Sequence, residues 1–203
     1  KLKKLQVSDV YSLDEKLKSH VEPPKEIKED LGVPNWYLRD SNFEADFPSS
    51  AKQAEWFFNQ ETGISPKGVI ALDLTAMESL LTVLGPVEVP DSKEKISAGS
   101  LAEKFMTSAK VGSPKFLTDV ASALLNKLFF LPNQNWPAIV SSLSSSLESK
   151  HLNIYLNDPK LFSYLVSQNW SGVLPRAQES NKGVFLDFLF SVEANMGANS
   201  ANY

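Results

Sequence analysis

Four polar residues within eight positions are the part of the chain best suited to chemistry: Arg39, Asp40, Asn42 and Asp46. An arginine guanidinium can hold two oxygens of one phosphate, and aspartate carboxylates supply the hard oxygen ligands that Mg²⁺ prefers. A structural interpretation is equally available. Arg39 would then pair with Asp40 or Asp46, and Asp40 or Asn42 would stabilise a turn. The spacing alone leaves both interpretations open.

Two further polar positions follow apolar runs of strand length. Asp73 comes after the run 69–72, at a strand end where open α/β sheets hold ligands, but it could instead cap the next helix. Asn195 follows the run 184–192 in a turn that also contains Gly197. Such a turn can point backbone N–H groups at an anion, or it can simply reverse the chain.

Other common active-site patterns are missing from the sequence. The chain has no cysteine, which excludes disulfides, thiolate zinc sites and cysteine nucleophiles. His20 and His151 have no second histidine or carboxylate at metal-ligand spacing, so we expect neither to be catalytic or to bind zinc. No serine stands in a Gly-x-Ser-x-Gly motif, so a serine hydrolase is unsupported.

Composition limits the classes of partner. The formal net charge is −4 and the pI is near 5.3, which argues against nucleic-acid binding. Only two arginines occur, Arg39 and Arg176. The length of 203 residues and the 42% hydrophobic content suit one globular domain, and no apolar run reaches the roughly 20 residues of a membrane span.

Alternating apolar strands and amphipathic helices must position these residues. The periodicity predicts helices at 50–62, 75–85, 97–109, 114–130, 135–147 and 159–168, and strands at 69–72, 87–89, 152–156 and 184–192. This alternation indicates an α/β fold, which we expect to be a three-layer α-β-α sandwich around a mixed sheet. Val69 to Leu72 would be its central strand, covered on both faces, with the helix from Ser50 to Thr62 packed on it.

The beginning of the chain has a weaker pattern. Residues 1–34 are predicted to be a peripheral segment that contains a short edge strand between Leu2 and Val10, and residues 35–203 to be the α/β domain. The β-favouring run 36–38 would form a strand before Arg39. Because the chain begins at Lys1 without an initiator Met and stops at Tyr203 soon after an apolar run, we expect it to be a fragment of a longer protein.

Four stretches of the sequence resemble the domain of unknown function 4012 family, in the family's order and over about residues 36–203. They are Leu38-Arg39-Asp40-Ser41-Asn42 with Asp46-Phe47-Pro48 and Ala51, then Gly68-Val69-Ile70-Ala71-Leu72-Asp73, then Leu80-Leu81 with Gly85-Pro86-Val87, and last Glu193-Ala194-Asn195-Met196-Gly197-Ala198-Asn199. The resemblance implies an extracytoplasmic domain of the bacterial cell envelope, anchored to the membrane in the full-length chain.

The string Leu38-Arg39-Asp40-Ser41 and the segment 69–87 also resemble the LytR-CpsA-Psr family more remotely. That family transfers polyprenyl-pyrophosphate-linked glycopolymers to the cell wall, using arginines for the pyrophosphate and acidic residues for a divalent cation. The resemblance implies catalytic roles for Arg39 and Asp40, with Asp40 and Asp46 as ligands of a possible Mg²⁺. Together with the residues that follow the predicted strands, the candidate ligand-binding residues are Arg39, Asn42, Asp46, Asp73 and Asn195.

One departure from this pattern affects the choice of function. The family's later arginine cluster would fall at about 101–117, where this chain has Lys104, Lys110 and Lys115 and no arginine. Three functions stay open on the sequence. The first is a module that binds envelope glycan or lipid phosphate, the second is a metal-assisted phosphotransferase, and the third is a scaffold without a small ligand. The missing arginines favour the first and third.

Overall fold

The computed structural model describes residues 5–30, 32–89, 93–110, 115–130 and 136–174, and this part combines helices with short antiparallel strands. The α/β content predicted from the sequence is therefore confirmed. The helices are α1 (Val10–Asp14), α2 (Lys25–Asp30), a 3-10 helix (Leu38–Asp40), α3 (Phe47–Thr62), α4 (Leu74–Leu84), α5 (Ala98–Lys110), α6 (Lys115–Phe129), α7 (Trp136–Glu148) and α8 (Pro159–Ser167). The strands are β1 (Gly68–Leu72), β2 (Val87–Glu88), β3 (Lys95–Ile96) and β4 (Leu152–Leu156).

The beginning of the chain differs from its prediction. No strand forms between residues 5 and 10, because the Asp9 carboxylate accepts a hydrogen bond from the Ser12 amide and starts α1. Leu13 and Ile27 are buried, so α1 and α2 both contribute to the packed interior. The predicted strand at 36–38 is also wrong, since a 3-10 helix begins at Leu38.

Helix α3 lies at the centre of the first half of the chain. It begins at Phe47 because Asp46 is its N-cap, three residues before the predicted start, and Gly63 ends it at a φ of 72°. Its residue Phe57 is fully buried and packs edge-on against the rings of Trp36 and Trp56. This contact draws residues 36–38 onto the helix and explains why they do not extend a sheet.

Strand β1 pairs antiparallel with β4, and the register places Val69 opposite Tyr155. Lys52 of α3 lies over the Tyr155 ring, so α3 covers the face of the sheet that carries Val69. Ile70 points to the other face, because side chains alternate along a strand, and it is 61% exposed. The prediction that residues 69–72 are covered on both faces is therefore wrong for the described part of the chain.

The main hydrophobic core lies in the second half of the described chain. Helices α4, α5, α6 and α7 enclose it together with the hairpin of β2 and β3. Its buried residues are Met77, Leu80, Leu81, Leu84, Val87, Val89, Ile96, Leu101, Val120, Leu124 and Ile139. The predicted helices over this region are confirmed to within a few residues, whereas the predicted strand at 184–192 lies outside the described residues. Within the described part, every helix is too short or too polar to cross a membrane.

Candidate functional site

Arg39, the residue with the strongest predicted role, is engaged with other residues of the same chain. Its Nη1 donates a hydrogen bond to Asp14 Oδ2 over 2.9 Å, and its Nε lies 3.7 Å from Asp40 Oδ2. The guanidinium also lies over the rings of Tyr37 and Tyr11, at 4.3 and 5.4 Å from their centres. The structural interpretation of Arg39 and Asp40 thus describes their contacts, with Asp14 as a partner that the sequence did not indicate.

Asp14 and Asp40, which pair with Arg39, and Glu61, which contacts Asp14, form a group that we call the carboxylate cluster. Asp14 is 3% exposed and Glu61 is 6% exposed, and no N–H or hydroxyl group of another described residue donates a hydrogen bond to Asp14 Oδ1 or to either Glu61 carboxylate oxygen. Burial raises the pKa of Asp14 and of Asp40. The positive charge of Arg39 lowers both pKa values, but its effect is smaller than that of burial. The cluster therefore has three acids and a single arginine, and two of the acids, Asp14 and Glu61, are almost fully buried.

Glu61 is the most perturbed group of the carboxylate cluster. Burial, followed by the charge of Asp14 and a hydrogen bond with its side chain, raises the pKa of Glu61 to about 7. Two ionised carboxylates cannot hydrogen-bond each other, because neither has a proton to donate. The contact between Asp14 and Glu61 consequently requires one proton, and the raised pKa means that a proton is available near neutral pH.

Asp46 has a capping role. Its Oδ2 accepts hydrogen bonds from the Ser49 amide at 3.2 Å and the Ser49 hydroxyl at 2.8 Å, and its Oδ1 accepts one from the Leu174 amide at 3.1 Å. Both carboxylate oxygens are therefore used to start α3 and to fix the segment after α8. Asn42 lies on the exposed loop between Arg39 and Asp46.

Asp73 caps α4 and also pairs with a histidine that the sequence did not single out. Its Oδ1 accepts a hydrogen bond from the Ala76 amide at 2.9 Å, and its Oδ2 lies 2.6 Å from His151 Nδ1. No carboxylate stands at metal-ligand spacing from His151 along the chain, but the pairing of β1 with β4 places His151 beside Asp73. Only knowledge of this pairing could have revealed the contact, since 78 positions separate the two residues.

The predicted site residues do not share partners in the described part of the chain. Arg39 pairs with Asp14 and Asp40, whereas Asp46 and Asp73 each cap a different helix. Within that same part, no group of three histidine, aspartate or glutamate side chains could hold a metal ion. Asn195 lies outside the described residues.

The lysines that stand where the LytR-CpsA-Psr arginines would fall are also engaged, as far as the structure describes them. Lys104 forms an ion pair with Glu94, and Lys115 lies 3.9 Å from Asp119 on the same helix. These pairs do not converge with Arg39 into a pyrophosphate site.

A cavity of about 340 Å³ lies between α3 and β1; it is mostly apolar and is a shallow groove largely open to solvent. Its lining comprises Leu38, Ala54, Glu55, Phe58, Pro66, Gly68, Val69 and Ile70. The one charged member, Glu55, accepts a hydrogen bond from the Asn157 side chain. The volume falls in the range of pockets that hold small ligands, and the lining suits a hydrocarbon chain.

Residues 4–109 match a family model described as "protein of unknown function (DUF4012)". The chain belongs to this family. No curated protein and no solved structure matches it. The part of the chain that matches the DUF4012 model includes the whole carboxylate cluster and every residue that lines the cavity, but not His151.

Proposed function

We propose that the chain is a binding module of the bacterial cell envelope, outside the cytoplasm, which takes a lipid phosphate or a lipid-linked glycan phosphate as its ligand. The observation that carries the proposal is the apolar cavity between α3 and β1. A prenyl chain in this cavity would cover Phe58 and Val69 and remove their apolar surface from water.

The contacts of Arg39 favour binding over phosphotransfer. Its guanidinium is shared between Asp14 and two tyrosine rings, so a pyrophosphate would have to displace these partners. Displacement would leave the buried Asp14 carboxylate without its counter-charge, which is costly. A phosphotransferase that uses Arg39 and Asp40 with Mg²⁺ is therefore the less supported alternative.

The phosphate of the ligand has a candidate partner at the edge of the cavity. Lys67 is exposed, directly precedes Gly68, and has no ion pair with another described residue. A headgroup at this edge would gain a charge-assisted contact while remaining in water. We assign this role to Lys67 because a headgroup that remains in water can pair with an exposed lysine and does not need Arg39.

The proposal also includes the three-layer sandwich implied by the LytR-CpsA-Psr resemblance. Its support is the apolar face of β1 opposite α3, where Ile70 and Leu72 are 61% and 43% exposed. A further layer over this face would bury both side chains and complete an α-β-α arrangement. Neither the cavity nor the ligand class depends on that layer.

The test is a binding titration with farnesyl phosphate, a short polyprenyl phosphate, by isothermal calorimetry. We expect micromolar binding to the chain. Ala54→Trp should weaken it at least about tenfold, because Ala54 lines the cavity and the indole ring would occupy it. Gln60→Trp is the matched control: it places the same side chain on an exposed position of α3 outside the cavity and should bind as the unmodified chain does.

Two further ligands distinguish the contribution of the hydrocarbon chain from that of the phosphate. Farnesol alone should bind more weakly than farnesyl phosphate, and inorganic phosphate alone should not bind measurably. Lys67→Gln should remove most of the difference between farnesol and farnesyl phosphate, and added salt should act in the same direction. Mg²⁺-dependent cleavage of farnesyl pyrophosphate to farnesyl phosphate, with water taking the place of the acceptor and the second phosphate released, would instead favour a phosphotransferase. No binding by any probe would favour a scaffold.

A further inference from the structure

The carboxylate cluster connects the short helix α1 to the middle of the domain. Asp14 is the last residue of α1, and Arg39 and Glu61 belong to the 3-10 helix and to the last turn of α3. Both Asp14 and Glu61 are more than nine-tenths buried. The contact between their side chains is therefore a part of the surface by which α1 packs on the rest of the domain.

The three acids of the carboxylate cluster exceed its single arginine by two charges when all groups are ionised. Asp14 faces Arg39, which lies 2.9 Å away and balances its charge. Asp40 lies beside the same guanidinium, and Lys16 lowers the pKa of Glu61 only as the smallest of the influences on it. Glu61 thus has no counter-ion of its own, and a proton is the simplest species that can neutralise it.

We propose that Asp14 and Glu61 share a proton that holds α1 against α3, and that the loss of this proton loosens α1 and uncovers Arg39. Tyr11 and Asp14 of α1 both lie on the guanidinium, so the position of α1 decides how accessible Arg39 is. Undocking of α1 would expose the guanidinium of Arg39. Arg39 directly follows Leu38, which lines the cavity. This proton-dependent docking of α1 does not require that the cavity binds a lipid.

The direction of the pH dependence follows from the two states of Glu61. With α1 docked, the pKa of Glu61 is about 7, and with α1 undocked it returns towards its ordinary value of 4.5. Docking is thus fully favoured below pH 4.5 and weakens as the pH rises to 7. Above pH 7 both states are ionised, so the docking equilibrium becomes constant.

Hydrogen exchange of the α1 amides, corrected for the intrinsic rate at each pH, tests the proposal. Leu13 and Glu15 donate to the carbonyls of Asp9 and Tyr11, so their protection reports whether α1 is formed and docked. We expect their protection to fall by up to about tenfold per pH unit between pH 5 and 7 and to level off above pH 7, because one proton is linked to undocking. The amide of Met77 in α4 is the internal reference and should not change.

Variants decide whether Glu61 is responsible. Glu61→Gln keeps a hydrogen-bond donor for Asp14 but cannot ionise, so the α1 protection should become independent of pH between 5 and 7. Glu148→Gln, on the exposed end of α7, is the matched control and should retain the slope of the unmodified chain. If Glu61→Gln does not fold, the carboxyl carbon shift of Glu61 in the unmodified chain still reports its titration, which should centre near pH 7. Flat protection in the unmodified chain, an unchanged slope in Glu61→Gln, or titration of Glu61 near 4.5 would each overturn the proposal.

Discussion

His151 Nδ1 lies 2.6 Å from Asp73 Oδ2, and this contact joins the beginning of β4 to the N-terminus of α4. The backbone reinforces it, because the Asp73 amide donates a hydrogen bond to the His151 carbonyl over 3.1 Å. Asp73 therefore serves two elements at once: one carboxylate oxygen caps α4, and the other holds the histidine. The pair fixes the small sheet of β1 and β4 to the helical core.

Removal of the Asp73 carboxylate should destabilise the protein mainly through the lost cap. We expect Asp73→Ala to lower the free energy of unfolding by about 1 to 2 kcal/mol, measured by urea denaturation. Asp73→Asn should recover most of this loss, because an asparagine oxygen can still accept from the Ala76 amide. His151→Ala should cost less than Asp73→Ala, since both partners are partly exposed. An equal loss in the two alanine variants would show that the histidine contact, and not the cap, dominates.

Arg39 should be important for stability even without any ligand. Arg39→Ala leaves the Asp14 carboxylate buried without a counter-charge, so we expect a loss of about 3 kcal/mol, the lower end of the range for broken buried pairs. The double variant Arg39→Ala with Asp14→Ala should be more stable than Arg39→Ala alone, because it also removes the buried Asp14 carboxylate that has lost its counter-charge. Thermal unfolding of the four proteins in this cycle measures the effect. A loss below about 0.5 kcal/mol in Arg39→Ala would match a surface pair and contradict this role.

Phe57 is expected to be the most sensitive aromatic residue of α3. It is fully buried between Trp36 and Trp56, so Phe57→Ala should cost about 3 to 5 kcal/mol. Its neighbour Trp56 is 43% exposed and offers a control on the same helix, where replacement by alanine should cost clearly less. Chemical denaturation of both variants checks the order, and the reverse order would contradict the packing described for α3.

Substitutions at two positions of β1 test how closely other parts of the protein cover this strand. Ile70 is 61% exposed among the described residues, and these contacts alone predict that Ile70→Ala costs less than about 1 kcal/mol. The further layer proposed over this face of β1 predicts the larger loss of a covered strand. Gly68→Ala should cost more, about 1 to 3 kcal/mol, because its added Cβ would lie 2.4 Å from the Tyr155 carbonyl oxygen. Denaturation midpoints of the two variants distinguish these expectations. A large loss in Ile70→Ala would indicate that a further layer covers β1.

The sequence predicted the local parts of this structure well. Helix α6 and helix α7 show their apolar stripes in the sequence, and Gly63 and Gly85 stand where helices were expected to end. The cap at Asp73 was one of two stated alternatives and is the one that the contacts support. These features depend on residues a few positions apart, which is the range over which periodicity and capping act.

The parts that the sequence did not predict depend on residues far apart in the chain. Arg39 meets Asp14 across 25 positions, and this contact gives the arginine a structural partner where a phosphate was expected. Residues 36–38 favour a strand by composition, but Trp36 donates its indole hydrogen to the Asp40 carbonyl and packs on Phe57. Such tertiary contacts override a weak β preference. The buried acid Glu61 was not singled out, because nothing in its neighbourhood along the chain shows that it meets Asp14.

Photo-crosslinking with a farnesyl phosphate that carries a benzophenone on its hydrocarbon end tests most directly whether the cavity between α3 and β1 holds a lipid phosphate. We predict that peptide mapping by mass spectrometry finds the label within the segments 54–58 and 66–70, which contain most of the residues that line the cavity. Excess unlabelled farnesyl phosphate should abolish this labelling, and Ala54→Trp should reduce it strongly while Gln60→Trp should not. Label distributed over other surfaces, or labelling of the cavity that neither the competitor nor Ala54→Trp reduces, would contradict the proposed function.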